Sequence, residues 1–113
     1  MAGMLYLVPT PIGNLGDISK RARETLESAD FIAAEDTRVT LKLLNHLELK
    51  KPLVSYYEHN KSFKGEKILD RILAGETCAL VSDAGSPAIS DPGEDLVKQC
   101  AAAGIPVCAI PGP

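Results

Sequence analysis

The chain has 113 residues, a net charge of −3, 45% apolar residues and 24% charged residues. This length and composition are typical of one ordinary globular domain, and the negative charge means that any RNA contact would need a local basic patch or another part of the protein. Because no apolar run approaches the roughly 20 residues of a membrane span and no signal peptide is recognisable, we expect a cytoplasmic protein without membrane contact.

Five short apolar runs alternate with four amphipathic segments along the chain. The runs are continuous rather than alternating, as expected for strands that are covered on both faces. The predicted strands are residues 4–8, 31–34, 53–57, 78–81 and 107–110. The predicted helical faces are Ile18, Ala22, Leu26 and Ala29, then Val39, Leu43, Leu44 and Leu47, then Ile68, Leu69, Ile72 and Leu73, and last Leu96, Val97, Cys100 and Ala101.

Residues at the ends of these segments predict where the helices begin and end. Asp17 is placed to cap the first helix, and Gly75 and Gly104 are placed to end the third and fourth. Asp91 is expected to be the N-cap of the fourth helix, with Pro92 at the first helical position and Glu94 as the acid of a capping box.

The alternation predicts an α/β fold with a five-stranded, mostly parallel sheet and helices on both faces. With right-handed crossovers, the loops that leave the strands for the helices lie along one edge of the sheet. The chain stops on Pro111-Gly112-Pro113, directly after a predicted strand, so we expect residues 1–113 to be the first portion of a longer protein.

The cysteines and histidines do not form a recognisable metal site. Cys78, Cys100 and Cys108 lie in or beside apolar runs and include no Cys-x-x-Cys pair, and His46 and His59 lack metal-ligand spacing. We expect buried free thiols, surface histidines and no metal.

Segment 83–92 follows the fourth strand and is rich in small, hydroxyl-bearing and backbone-restricting residues. Such a loop can bring main-chain groups close to a ligand, although a purely structural turn is the more common explanation for one loop alone. The chain has neither a phosphate-binding P-loop nor a dinucleotide Gly-x-Gly-x-x-Gly motif. Because the loops are also poor in lysine and arginine, the expected ligand is not a polyphosphate.

Four segments carry a resemblance to a known family: LVPTPIGNL at 7–15, AEDTR at 34–38, VSDAGSP at 81–87 and IPGP at 110–113. In this order they resemble the N-terminal domain of the ribose 2′-O-methyltransferase branch of the tetrapyrrole methylase family, the class III S-adenosylmethionine enzymes. The resemblance implies an S-adenosyl-L-methionine cofactor in a cleft between two domains, the second of them absent from residues 1–113. It also implies methyl transfer to a cytidine ribose 2′-hydroxyl of small-subunit ribosomal RNA, by a homodimer and without a metal.

The same resemblance assigns cofactor-binding positions in two loops. Pro11, Ile12 and Gly13 match a loop in which other members have Gly-Pro-Gly. Segment 84–87 matches the family's Gly-Gly-Asp-Pro, whose backbone holds the cofactor, and Ile89 follows as an apolar contact. Ser86 replaces the family's aspartate, and Asp83 is the nearest carboxylate that could compensate. The cofactor-binding candidates are therefore Pro11, Ile12, Gly13, Asp83, Ala84, Gly85, Ser86, Pro87 and Ile89.

The loop after the second strand supplies the catalytic candidates. Asp36 is the candidate base that takes the proton of the ribose hydroxyl, and Glu35 is the reserve. Arg38 could bind an RNA phosphate or hold the carboxylates through a bidentate pair. Equally, residues 35–37 could simply cap the next helix. Tyr56 and Tyr57 could stack on a base, although packing is the commoner role of a strand tyrosine.

Two other functions remain open at this point. A methyltransferase of the same family could act on a tetrapyrrole-type small molecule instead of RNA. Alternatively, this segment alone could be a non-catalytic half-site that binds the cofactor weakly.

Overall fold

The computed structural model describes residues 3–9, 15–57, 59–82 and 91–110, with the side chains of Leu15, Ser82, Asp91 and Pro92 left out. In these ranges five strands alternate with four helices, as the sequence predicts. The elements are β1 (Leu5–Pro9), α1 (Lys20–Ser28), β2 (Phe31–Ala34), α2 (Thr37–His46), β3 (Leu53–Ser55), α3 (Lys61–Leu73), β4 (Cys78–Ser82), α4 (Asp91–Ala102) and β5 (Val107–Ala109).

The strands form one sheet in the order β3-β2-β4-β1-β5, and every pair is parallel. The fold prediction is therefore confirmed. β4 is the central strand: Cys78 pairs with Leu5 of β1 on one side and with Phe31 of β2 on the other. Consequently β1 and β2 are adjacent to β4 and not to each other.

The helices cover both faces of this sheet. α1 and α2 pack on one face, against alternate strand residues such as Val8, Ile32 and Val81. α3 and α4 pack on the other face, against Phe31, Leu80 and their neighbours. This division follows from crossovers of one hand: the chain moves in one direction from β1 to β3 and in the opposite direction from β3 to β5. Both faces of the inner strands β2 and β4 are thus buried, which explains their continuous apolar runs, whereas the edge strands β3 and β5 are only partly buried.

The residues that begin and end the helices agree in part with those predicted from the sequence. Gly75 and Gly104 follow the third and fourth helices with φ of 110° and 77°, values that favour glycine. Asp17 does not cap α1. Ser19 does, because its hydroxyl accepts a hydrogen bond from the backbone N–H of Ala22 at 3.1 Å. α4 already includes Asp91 as its first residue, so the prediction that Asp91 precedes this helix as its N-cap is wrong.

Three residues predicted to lie on buried helical faces are exposed: Val39, Leu73 and Ala101. Thr40 is buried in α2, where its hydroxyl donates to the carbonyl of Asp36. β3 ends at Ser55, two residues before the predicted end. Among the described residues, no helix has the length and hydropathy needed to cross a membrane.

The thiols are free, as predicted, and two of the three are buried. Burial raises the pKa of the Cys78 thiol far above its usual range and that of Cys100 to about 11. Cys108 is only half-buried, so the expectation of a buried thiol fails there. His46 and His59 are exposed, as expected.

Candidate functional site

The carboxyl ends of the strands meet at one edge of the sheet. Pro9, the last residue of β1, pairs with Ser82, the last residue of β4. On the other side of β4, Val81 pairs with Ala34, and Ala34 in turn pairs with Ser55 of β3. The loops that follow β1, β2, β3 and β4 therefore all leave from this carboxyl edge.

The connections that leave the neighbouring strands β1 and β4 run in opposite directions across the sheet. The connection from β1 runs to β2 over the face that α1 covers, whereas the connection from β4 runs to β5 over the face that α4 covers. Neighbouring strands whose connections leave to opposite faces define a topological switch point, and open α/β sheets bind ligands in the crevice outside it. β2 and β4 meet the same criterion, so the fold points to the carboxyl end of β4, including the gap beyond Pro9 and Ser82, as its ligand site.

The loops predicted to bind cofactor are the two that flank this gap. Residues 10–14 follow Pro9, and residues 83–90 follow Ser82. Pro11, Ile12, Gly13, Asp83, Ala84, Gly85, Ser86, Pro87 and Ile89 all lie outside the described residues, and their roles stay predictions. On the far side of β1, the backbone N–H of Ile110 donates to the carbonyl of Leu7, so the residue that follows β5 lies at the same edge.

Asp36 and Arg38 form a bidentate pair at this edge. The Nε and NH2 atoms of Arg38 donate to Asp36 Oδ1 and Oδ2 at 3.2 and 3.3 Å, and the backbone N–H of Arg38 donates to Oδ1 at 3.0 Å. Asp36 is also the N-cap of α2. The two arrangements that the sequence allowed, a cap and an Arg–carboxylate pair, are both present.

This pair determines the electrostatics of the loop. Hydrogen bonding from Arg38 lowers the pKa of Asp36 below its ordinary value, and the same bond raises the pKa of Arg38. The Arg38 side chain is 89% exposed, so the guanidinium is accessible to another anion while it holds Asp36. Glu35 is exposed beside the pair. Residues 35–38 together carry one net negative charge, which suits a cationic ligand better than a polyphosphate.

The turn between β3 and α3 is fixed by a residue that the sequence analysis missed. Asn60 Oδ1 accepts from the backbone N–H of Tyr57 at 2.7 Å, and Asn60 Nδ2 donates to the carbonyl of Ser55 at 3.0 Å. The signal that could have identified it is an asparagine just before a helical segment, where its side chain commonly bonds to nearby backbone. Of the two tyrosines, Tyr56 is fully buried and Tyr57 is exposed.

Among the described residues, no group of three or more His, Cys, Asp or Glu side chains could hold a metal ion. Among the described residues, the polar groups at the carboxyl edge are the Asp36–Arg38 pair, Glu35 and the side chains of the β3–α3 turn.

An all-parallel sheet with helices on both faces and a switch point at its carboxyl edge defines a ligand-binding domain of the open α/β class. Within this class, the model of the Tetrapyrrole (Corrin/Porphyrin) Methylases matches residues 4–113. The chain belongs to this family.

Two curated relatives are both named "Ribosomal RNA small subunit methyltransferase I". The protein from Halalkalibacterium halodurans is 59% identical over 110 residues, which are 97% of this chain and 38% of the relative. The protein from Synechocystis is 56% identical over 110 residues, 97% of this chain and 39% of the relative. The chain thus spans about two fifths of the length of these relatives. The family resemblance seen in the four sequence segments is confirmed.

The fold is shared with solved structures of low sequence identity. Uroporphyrin III C-methyl transferase from Thermus thermophilus superposes with a TM-score of 0.75 at 20% identity, over 97% of this chain and 48% of that chain. At this identity the likeness establishes the fold alone.

Proposed function

We propose that this chain is the N-terminal domain of a two-domain, S-adenosylmethionine-dependent methyltransferase that modifies a ribose 2′-hydroxyl of a cytidine in small-subunit ribosomal RNA. The observation that carries the proposal is identity of 56–59% over 97% of the chain with proteins named for ribosomal RNA methylation. The switch point between β1 and β4 supports it, because both segments that resemble cofactor loops of the family begin there.

The chemistry needs little from the protein beyond position and a proton acceptor. When bound, S-adenosylmethionine supplies an activated methyl group on a sulfonium and leaves as a neutral thioether. The protein's own residues would have to hold the ribose hydroxyl in line with the methyl group and accept its proton. Asp36 is the proposed acceptor of the hydroxyl proton, with Glu35 in reserve. The negative charge of residues 35–38 fits a sulfonium nearby, and the loops position the reactants and exclude water.

The test is methyl transfer by the full-length protein that carries this chain. Labelled S-adenosylmethionine is offered with small ribosomal subunits that lack the modification, and the labelled nucleoside is identified after digestion. We expect a 2′-O-methylated cytidine. Label on a base instead of a ribose would contradict the ribose assignment, and no label on any RNA would overturn the RNA assignment.

A tetrapyrrole substrate is the second candidate, and the family description favours it. The same assay with a uroporphyrin-type acceptor separates the two functions. The larger identity to the ribosomal relatives than to the uroporphyrin enzyme makes RNA our choice.

Calorimetry with S-adenosylhomocysteine tests the half-site hypothesis. If the cofactor lies between two domains, residues 1–113 alone bind it weakly or not at all, while the full-length protein binds it. Tight binding by the isolated segment would show that the site is mostly contained here.

The proposed substrate places the protein in the cytoplasm, and the family resemblance is our reason to propose a homodimer. Sedimentation equilibrium of the full-length protein tests the dimer, and a monomer at assay concentrations would contradict it.

A further inference from the structure

Three exposed rings surround the β3–α3 turn at the carboxyl edge. Tyr57 and Phe63 are 41% and 60% exposed, and His59 is exposed as well. The rings of Tyr57 and His59 meet edge to face, with centroids 6.4 Å apart. We call Tyr57, His59 and Phe63 the aromatic corner. Large exposed rings grouped in this way are typical of binding surfaces.

The aromatic corner is held in place before any ligand arrives. Besides the two hydrogen bonds of its side chain, Asn60 donates its backbone N–H to the carbonyl of Tyr57 at 3.0 Å. The N–H of Lys64 then bonds to the carbonyl of Asn60, which joins the turn to the first turn of α3. A pre-organised turn loses less conformational entropy when it binds a ligand.

Lysines and acidic residues are interleaved around the aromatic corner. Residues 57–67 contain three lysines and two glutamates. Lys61 bonds to Asp95 at 2.6 Å, and the Lys67 ammonium lies 4.5 Å from the centroid of the Phe63 ring. In the described part of the chain, neither Lys64 nor Lys67 forms a salt bridge. Lys64 and Lys67 are therefore the two cations beside the aromatic corner that could meet a phosphate.

The aromatic corner lies on the same edge of the sheet as the proposed reaction site. Tyr57 follows β3, which neighbours β2, and Asp36 follows β2. At about 4.8 Å between neighbouring strands, the end of β3 is roughly 12 Å from the gap between β4 and β1. A bound polynucleotide spans such a distance with a few nucleotides.

From these observations we infer that the aromatic corner binds unpaired nucleotides of RNA next to the one that is modified. Bases stack on Tyr57 and Phe63, and Lys64 and Lys67 contact the phosphates. The inference rests on the proposed function for its choice of RNA. A partner protein fits less well, because a lysine ammonium on Phe63 and further lysines around it would have to be desolvated in an apolar interface.

The test is fluorescence anisotropy of a short, labelled, unstructured RNA with the full-length protein. We expect Tyr57→Ala and Phe63→Ala each to raise the Kd on the order of tenfold, and Tyr57→Phe to retain binding because the ring remains. Leu73→Ala is the matched control, since Leu73 is 46% exposed near the opposite end of α3, and it should leave the Kd unchanged. Lys64→Ala should reduce the slope of log Kd against log salt by about 0.7.

Two results would overturn the inference. One is a Kd for Tyr57→Ala and Phe63→Ala that equals that of Leu73→Ala. The other is a change of oligomeric state with Phe63→Ala in sedimentation, which would assign the aromatic corner to a protein interface. Calorimetry with S-adenosylmethionine on the same samples tests the proposed function separately: wild-type protein that binds RNA through the aromatic corner but binds no cofactor would refute the enzyme assignment and not the RNA surface.

Discussion

The Asp36–Arg38 pair illustrates how one residue can serve structure and chemistry together. The sequence predicted both the cap and the bidentate pair from residue type and position, since a cap needs only a local hydrogen bond. It could not predict how strongly the pair biases the carboxylate, which depends on the rotamer of an exposed arginine. A lowered pKa keeps Asp36 charged but makes it a weaker base.

The two roles of Asp36 are separable by Asp36→Asn in the full-length protein. Asparagine caps helices as well as aspartate does, so we expect the melting temperature to change little. Loss of the base should reduce kcat by about 100- to 10,000-fold. Asp36→Ala is the comparison, because it removes the cap as well and should lower stability too. Full activity of Asp36→Asn would show that Asp36 is only a helix cap and not the base, and Glu35 would then be the candidate base.

Removal of the arginine should shift the titration of Asp36. In Arg38→Ala the hydrogen bond that lowers the pKa of Asp36 is gone, so the carboxyl should titrate at higher pH, as NMR of the side chain can measure. In the wild type, a lowered pKa stabilises the fold above the ordinary carboxyl pKa, and this stabilisation is lost as the pH falls through the lowered value. Arg38→Ala should therefore lose less stability on acidification.

The pH–rate profile tests the same change in the pKa of Asp36 through catalysis, because its acid limb reports the pKa of the catalytic base. If Asp36 is the base, the limb moves to higher pH in Arg38→Ala together with the NMR titration. A limb that stays in place while the titration moves would contradict the catalytic role. Arg38→Lys is the matched control, since it keeps the charge and loses the bidentate geometry.

At the scale of elements, the sequence predicted the existence of every described β-strand and α-helix but not the short 3-10 helix at Leu15–Asp17, and it misplaced several boundaries and faces. Val39 lies roughly a quarter turn from the centre of the buried stripe of α2, where Thr40 is buried instead. Apolar spacing alone identifies a broad face, whereas the width of the buried stripe is set by the partner elements. The prediction that Val39 is buried therefore failed because tertiary packing, not apolar spacing, decides how wide the buried stripe is. Leu73 of α3 was predicted to be buried for the same reason, and it too is exposed.

The start of α1 offers a direct test, because the sequence favoured Asp17 and the structure places the cap at Ser19. Ser19→Ala removes the hydrogen bond to the N–H of Ala22 and should lower the free energy of unfolding by about 1 kcal/mol. Asp17→Ala should change it by less than about 0.5 kcal/mol, as is usual for surface positions. Urea denaturation measures both. A larger loss for Asp17→Ala than for Ser19→Ala would contradict the assignment of the cap.

At the scale of the whole molecule, the parallel sheet was predictable and its strand order was not. Continuous apolar runs separated by helices indicate parallel strands buried on both faces. The sequence carries no local signal that shows which helical connection passes over a neighbouring strand, because the runs that form β1, β2 and β4 are similarly apolar. The location of the candidate site depended on that order, since the adjacency of β1 and β4 creates the switch point.

Helices cover both faces of the sheet, and this packing also predicts which thiols react. Cys78 of β4 and Cys100 of α4 are buried in the core between the sheet and helices α3 and α4. Because the pKa of the Cys100 thiol is about 11, roughly one in a thousand of these thiols is ionised at pH 8. In the native protein at pH 8 we expect Cys108 to react with a thiol reagent well before these two, as peptide mapping can measure. In denaturant all three should react at similar rates. Early modification of Cys78 would show that the face covered by α3 and α4 opens more readily than this packing allows.

The central position of β4 has a consequence for how the chain acquires its shape during synthesis. While a ribosome has released residues only as far as Thr77, β2 and β3 are the sole neighbouring strands available to pair, and β1 has no hydrogen-bonding neighbour among the described strands. The segment that begins at Cys78 must then enter between two strands made much earlier. Sheet closure is thus a late event with long-range contacts, which slow folding generally accompanies. A nascent chain arrested before Cys78 should accordingly remain sensitive to protease, and one extended past β5 should resist it.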